Sequence, residues 1–108
     1  MIGAFRVLLS MEVPAGSAAE FEDVWSAIAT EVSAHPANLA QALMRGSEPD
    51  ERYHILTDWT DENSFRTFER SEAHVAYRKR LAPYRGAVTM STMHIVRDVP
   101  GPVLERSS

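Results

Sequence analysis

The sequence predicts an α+β fold in the ferredoxin-like order β-α-β-β-α-β, an antiparallel sheet with helices on one face. Three observations predict it. Runs near the two ends, 4–13 and 87–99, read as strands, and the first alternates with period two. A polar turn, "SEPDE" at 47–51, joins two more strand-like runs in the middle of the chain. Apolar residues at helical spacing follow the first strand and again the third.

Taken in order, Phe5, Val7, Leu9, Met11 and Val13 share one face of the first strand, and Ala4, Arg6, Leu8, Ser10 and Glu12 the other. "PAG" at 14–16 signals a turn. Ser17 and Glu20 make S-x-x-E, the pattern of a capping box. Phe21, Val24, Trp25, Ile28 and Val32 then form the apolar stripe of a helix of about 16 residues. The pair His35-Pro36 ends it, because a residue before proline avoids the helical region. Residues 37–46 are rich in alanine, yet a short turn and the plain strand "RYHILTDWT" follow, so the pair reads as a hairpin. Thr60 or Asp61 caps a helix carrying Phe65 and Phe68, and Ser71 offers a second cap. Residues 61–82 are thus two short helices or one bent helix, stopped by Pro83. "AVTMSTMHIVRDV", 87–99, is the last strand. The expected organisation is one folded domain over 1–99 and a polar tail over 100–108.

Composition narrows the function classes. The chain has 108 residues, 44% hydrophobic and 24% charged, with a net charge of −4. That balance argues against a general nucleic-acid binder, which needs a dense basic face. With no cysteine there is no disulfide framework and no thiolate chemistry. No apolar run is long enough to span a membrane, and the first residues lack the basic leader and cleavage site of a signal peptide. A cytoplasmic location is expected. No Gly-rich phosphate loop offers flavin or nicotinamide a seat. No H-x-H or H-E-x-x-H pattern suggests a metal site.

The strand faces carry a further demand. In the last strand Val88, Met90, Thr92, His94 and Val96 lie opposite Thr89, Ser91, Met93, Ile95 and Arg97, so both faces are half apolar. Helices cover one face. The expected cover for the other is a second copy, sheet against sheet, in a twofold homodimer.

The stretch "ILTDWTDENSFRTFERSEAHVAYR" resembles the antibiotic biosynthesis monooxygenase family, in which a tryptophan ends the third strand and acids, a phenylalanine and an S…H pair follow. Here these are Trp59, Asp61, Glu62, Phe65, Ser71 and His74. The resemblance spans roughly 4–97 and implies a dimeric α+β barrel. It also implies oxygenation of polycyclic aromatics by O₂, such as anthrone to quinone, with no cofactor. Anthrone-oxidising members carry asparagines where this chain has Ile55 and Leu9, which cannot hydrogen-bond a substrate oxygen. The haem-degrading branch places a histidine ligand ten residues after a tryptophan; the matching positions here are Arg78 and Phe68. Arginine is not a usual haem ligand, which argues against haem degradation.

The candidate catalytic residues are therefore Trp59 for stacking, His54 or His74 as general base, and Arg78 for anion stabilisation. Tyr53, Ile55, Phe65, Tyr77, Met44 and Met90 are candidates for binding a small aromatic substrate. His94 is a further strand histidine, and nothing is expected of His35. Three functional classes stay open: a cofactor-free monooxygenase, a polyketide cyclase or intermediate-binding protein of the same fold, and a dimeric module in which Trp59 merely fills the core.

Overall fold

The computed structural model describes residues 3–102. Its strands are β1 (Phe5–Met11), β2 (Asn38–Arg45), β3 (Tyr53–Trp59) and β4 (Val88–His94). Its helices are α1 (Ala18–Val32), α2 (Glu62–Glu69) and α3 (Glu72–Leu81), with short 3-10 turns at Ala15–Ser17 and Ala82–Tyr84. The strands form one antiparallel sheet in the order β2-β3-β1-β4, as the predicted fold requires. Most of the expected tail, 100–108, lies outside the described residues.

Helix boundaries follow from local chemistry. The Asp61 carboxylate accepts from the Ser64 amide at 2.8 Å and starts α2. The Ser71 hydroxyl accepts from the His74 amide at 3.2 Å and starts α3. Each cap satisfies an amide that the first helical turn leaves without a partner. The two caps decide between the readings of 61–82: there are two helices. The capping box expected at the start of α1 does not form. Ser17 closes the preceding 3-10 turn instead, and its side chain makes no cap hydrogen bond. The last strand is shorter than expected and ends at His94, although Ile95 still exchanges backbone hydrogen bonds with Gly3 and Ala4. Between β2 and β3 the amide of Gly46 bonds to the Arg52 carbonyl. A Cβ at Gly46 would lie 2.1 Å from the Asp50 carbonyl oxygen, so the hairpin turn needs a glycine there.

Register sorts the residues into two populations. Toward the helices, one row across the sheet reads Leu43, Ile55, Leu9, Met90, and the row nearest α2 reads Asn38, Trp59, Phe5, His94. On the outer face the rows read Ala40, Asp58, Arg6, Met93 and Met44, His54, Ser10, Thr89. A bulge at Leu39 offsets Asn38 from Ala40 and keeps Gln41 and Leu43 on the helix side. Phe5, Met11, Phe21, Tyr53 and Trp59 are the largest fully buried side chains. Each removes roughly 1.5–3 kcal/mol worth of apolar surface from water. The helices pack mainly over β1, β2 and β3. All seven residues of β4 stay exposed, although the strand pairs with β1 along its full length.

Candidate functional site

The core is not closed. Between the sheet and the helices lies a cavity of about 340 Å³, within the range of small-molecule sites. Val7, Leu9, Ile55, Thr57 and Met90 form its floor on the sheet. Trp25, Ile28 and Val32 of α1 wall one side, and Phe65 and Phe68 of α2 another. Its polar edge comes from α3 and the turn after it: His74, Tyr77, Arg78 and Arg85.

Trp59 is both plug and wall. It is 1% exposed, its ring centroid lies 4.8 Å from Phe68 and 5.6 Å from Phe65, and it borders the cavity. Its indole N–H donates to the Thr57 hydroxyl at 2.9 Å, so the ring is oriented by its own strand. His35 supports it from behind at 5.4 Å, edge to face. The His35 Nδ1 accepts from the Ala37 amide at 3.1 Å, which fixes that imidazole. This role has no local signature, because it depends on where the loop before β2 lands.

His74 is set differently. Its ring meets Phe68 edge to face at 5.1 Å. Its Nδ1 is buried and has no hydrogen-bond partner among the described residues. Burial lowers its pKa from the ordinary value of 6.5, and the charges of Arg78 and Arg85 act in the same direction. A backbone hydrogen bond and the charge at Glu69 oppose them. The imidazole is therefore held in its neutral form, as a general base requires.

Of the residues singled out from sequence, Trp59, His74, Arg78, Ile55, Phe65, Tyr77 and Met90 border this cavity. Three do not. His54 lies on the outer face, where its Nδ1 shares a 2.8 Å hydrogen bond with the Ser10 hydroxyl. Met44 shares that face and is 39% exposed. Tyr53 faces the helices, but its hydroxyl donates to Glu22 and its ring packs on Phe21 at 5.2 Å. Alternation puts His54 on β3 and its cross-strand partner Met44 on β2 on the outer face, and the row of Tyr53 lies beyond the cavity. His94 packs edge-on against Phe5 at 5.2 Å. Leu9 and Ile55, the positions where anthrone-oxidising members are expected to carry asparagine, are cross-strand partners in the cavity floor. At these two positions the floor is apolar.

Sequence reasoning passed over three cavity features. Trp25 served only as part of the α1 stripe. Thr57 accepts the indole proton. Arg85, read as part of a solvated basic stretch, is half-buried at the cavity edge. Among the described residues no group of three or more His, Cys, Asp or Glu could hold a metal ion, and no helix is long and apolar enough to cross a membrane.

Comparison with known proteins agrees with this geometry. The family model described as antibiotic biosynthesis monooxygenase matches residues 4–80. The chain is 29% identical over 93 residues to a mycobilin-producing heme oxygenase of Mycobacterium tuberculosis, covering 85% of this chain and 89% of that one. The structure is similar to SnoaB, a cofactor-independent oxygenase from Streptomyces nogalater, with a TM-score of 0.78 at 19% identity over 92% of this chain and 99% of that one. At that identity the likeness concerns the fold. It is also similar to the heme-degrader MhuD from Mycobacterium tuberculosis, with two hemes bound in its active site: TM-score 0.75, 27% identity, 89% of this chain and 99% of that one.

Proposed function

The chain belongs to the antibiotic biosynthesis monooxygenase family, and from that premise we propose that it is a cofactor-independent monooxygenase acting on a polycyclic aromatic intermediate of secondary metabolism. The reaction is of the anthrone-to-quinone type. One observation carries this reading: a largely apolar cavity, walled by Trp59 and bordered by His74, an imidazole whose buried Nδ1 has no hydrogen-bond partner among the described residues.

The flat guest stacks against Trp59 with Phe65, Ile55 and Met90 around it. His74 takes a proton from the activated methylene carbon. The resulting carbanion passes an electron to O₂, and the two radicals combine at that carbon. Loss of water then leaves the quinone carbonyl, so one oxygen atom is kept and the other departs as water. Tyr77 and Arg78 lie at the edge where negative charge develops on the substrate oxygen. The protein supplies a base, a dry wall and positive potential.

A second copy is proposed to cover the outer face of the sheet, where Leu8 and Leu56 are half-buried and Met44 and Met93 are exposed with no helix over them. Sedimentation should give twice the chain mass, and Leu56→Arg should return it to the monomer.

The test of the chemistry is oxygen uptake with an anthrone. Uptake that matches quinone formation one for one, and that falls in His74→Gln, is the expected result. Tight binding with no uptake favours the cyclase or binding reading instead. A second reading, haem as the substrate, is favoured by the heme oxygenase relative. Arg78 occupies the position where an iron ligand is expected, so the His74 Nδ1 or the Tyr77 hydroxyl would have to serve. A Soret shift on titrating hemin, lost in the variants of those two residues, would support it.

A further inference from the structure

The charges at the cavity edge do not balance. Arg6, Arg52, Arg66 and Arg80 each lie within 4.0 Å of a carboxylate. Arg78 and Arg85 do not, among the described residues. Among the described residues the Arg85 guanidinium donates one hydrogen bond, to the sulfur of Met11 at 3.9 Å, a poor acceptor. Glu69 also borders the cavity, but it is held by Arg66 at 3.2 Å. Two guanidiniums therefore border one largely apolar space, one half-buried and one exposed, with no carboxylate within 4.0 Å of either among the described residues. They are close enough for the charge of Arg78 to disfavour the charge of Arg85, and burial acts in the same direction. A shallower groove beside β4 is lined by the same two arginines. They stand where the deep apolar space meets the surface.

The Arg85 guanidinium is half-buried yet meets no carboxylate among the described residues, and the planar guanidinium fork matches a carboxylate in two-point geometry. We propose that Arg78 and Arg85 form an anion seat at the mouth of the cavity, and that the guest is an aromatic acid, with its rings among Trp25, Trp59 and Phe68 and its carboxylate between the two arginines. This rests on the reading of the cavity as a substrate site and specifies the class of aromatic it takes.

The test uses 2-anthracenecarboxylate and its neutral isostere 2-anthracenecarboxamide as probes. Binding is followed by quenching of tryptophan fluorescence, since both Trp25 and Trp59 border the cavity. The carboxylate should bind more tightly by about tenfold or more, or about 1.4 kcal/mol. Arg85→Gln should remove most of that preference and Arg78→Gln a smaller part, because Arg78 is the more exposed. Carboxamide affinity should fall far less than carboxylate affinity in either variant, and circular dichroism reports that each variant is folded. In wild type, added KCl should weaken carboxylate binding and leave carboxamide binding unchanged; this arm stands even if a variant misfolds. Equal affinities in wild type, a preference that ignores salt, or a preference that survives Arg78→Gln combined with Arg85→Gln would overturn the seat. Oxygen consumption plays no part in these readouts. A protein that selects the acid but never consumes oxygen keeps the seat and loses the oxygenase reading. One that oxidises a neutral anthrone without preferring acids does the reverse.

Discussion

The outer face of the sheet pairs its charges, and the cavity on the inner face leaves several unmatched. Outside, Arg6 grips Asp58 through two hydrogen bonds of 2.7 and 2.9 Å, and His54 is tied to Ser10. Inside, the His74 Nδ1 has no partner, and Arg78 and Arg85 meet no carboxylate among the described residues. The same residue types thus serve different ends on opposite faces of one sheet. A histidine tied to a neighbouring hydroxyl is committed to the sheet. A histidine beside an apolar wall, with a buried nitrogen that has no partner among the described residues, keeps that acceptor uncommitted. Residue type alone does not mark a site; the state of its hydrogen bonds does.

The largest expected effect lies on the inner face. Trp59→Ala removes a side chain packed by His35, Phe65 and Phe68 and leaves the Thr57 hydroxyl without its donor. It should cost about 3–5 kcal/mol in urea denaturation. A loss under about 1 kcal/mol would mean that the ring is wall only and no part of the core. Next in size is a contrast between the faces. His74→Gln should slow anthrone oxidation about 100-fold or more, whereas His54→Gln should leave the rate near wild type. Equal losses would erase the distinction.

On the outer face, Asp58→Ala leaves Arg6 unmatched across the strands. It should cost about 1–3 kcal/mol of stability without changing guest affinity. A double-mutant cycle with Arg6→Ala would show how much of that belongs to the pair. The smallest effect is in pH. The pKa of His74 is lowered in the folded protein, so the unfolded chain binds the proton first as pH falls. The associated stability is full above about 6.5 and is lost as pH drops toward the folded value. His74→Gln should flatten that part of the stability curve, and the acid limb of kcat/KM should fall below 6.5 in wild type. The groups facing this imidazole are Arg78, Arg85 and Glu69. A limb that survives in His74→Gln would assign the titration elsewhere.

Much of the fold was legible because strands and helices leave their periods in the chain. Alternation placed Phe5, Val7, Leu9 and Met11 together, and these residues do share the inner face. The same alternation already separated His54 from Trp59 on β3, so naming both for one site conflicted with the period itself. What could not be read depends on contacts between distant segments. The Leu39 bulge has no local signature. The approach of Arg85 to the cavity depends on how the turn after α3 docks. The cross-strand pairing of Leu9 with Ile55 needed the register, which period two leaves undetermined. The missing cap at Ser17 shows the opposite failure: a local pattern was present, and a 3-10 turn used its residue differently.

The exposed strand β4 has a kinetic consequence. It hangs on β1 alone, and its Val88 and Met90 complete one side of the cavity. A strand with one neighbour and little burial opens at a lower free energy than the sheet interior. In native-state hydrogen exchange its amides should trade deuterium first, well before those of β3. A rigid multi-ring molecule could then enter by brief fraying of this margin while the wall that carries Trp59 stays shut.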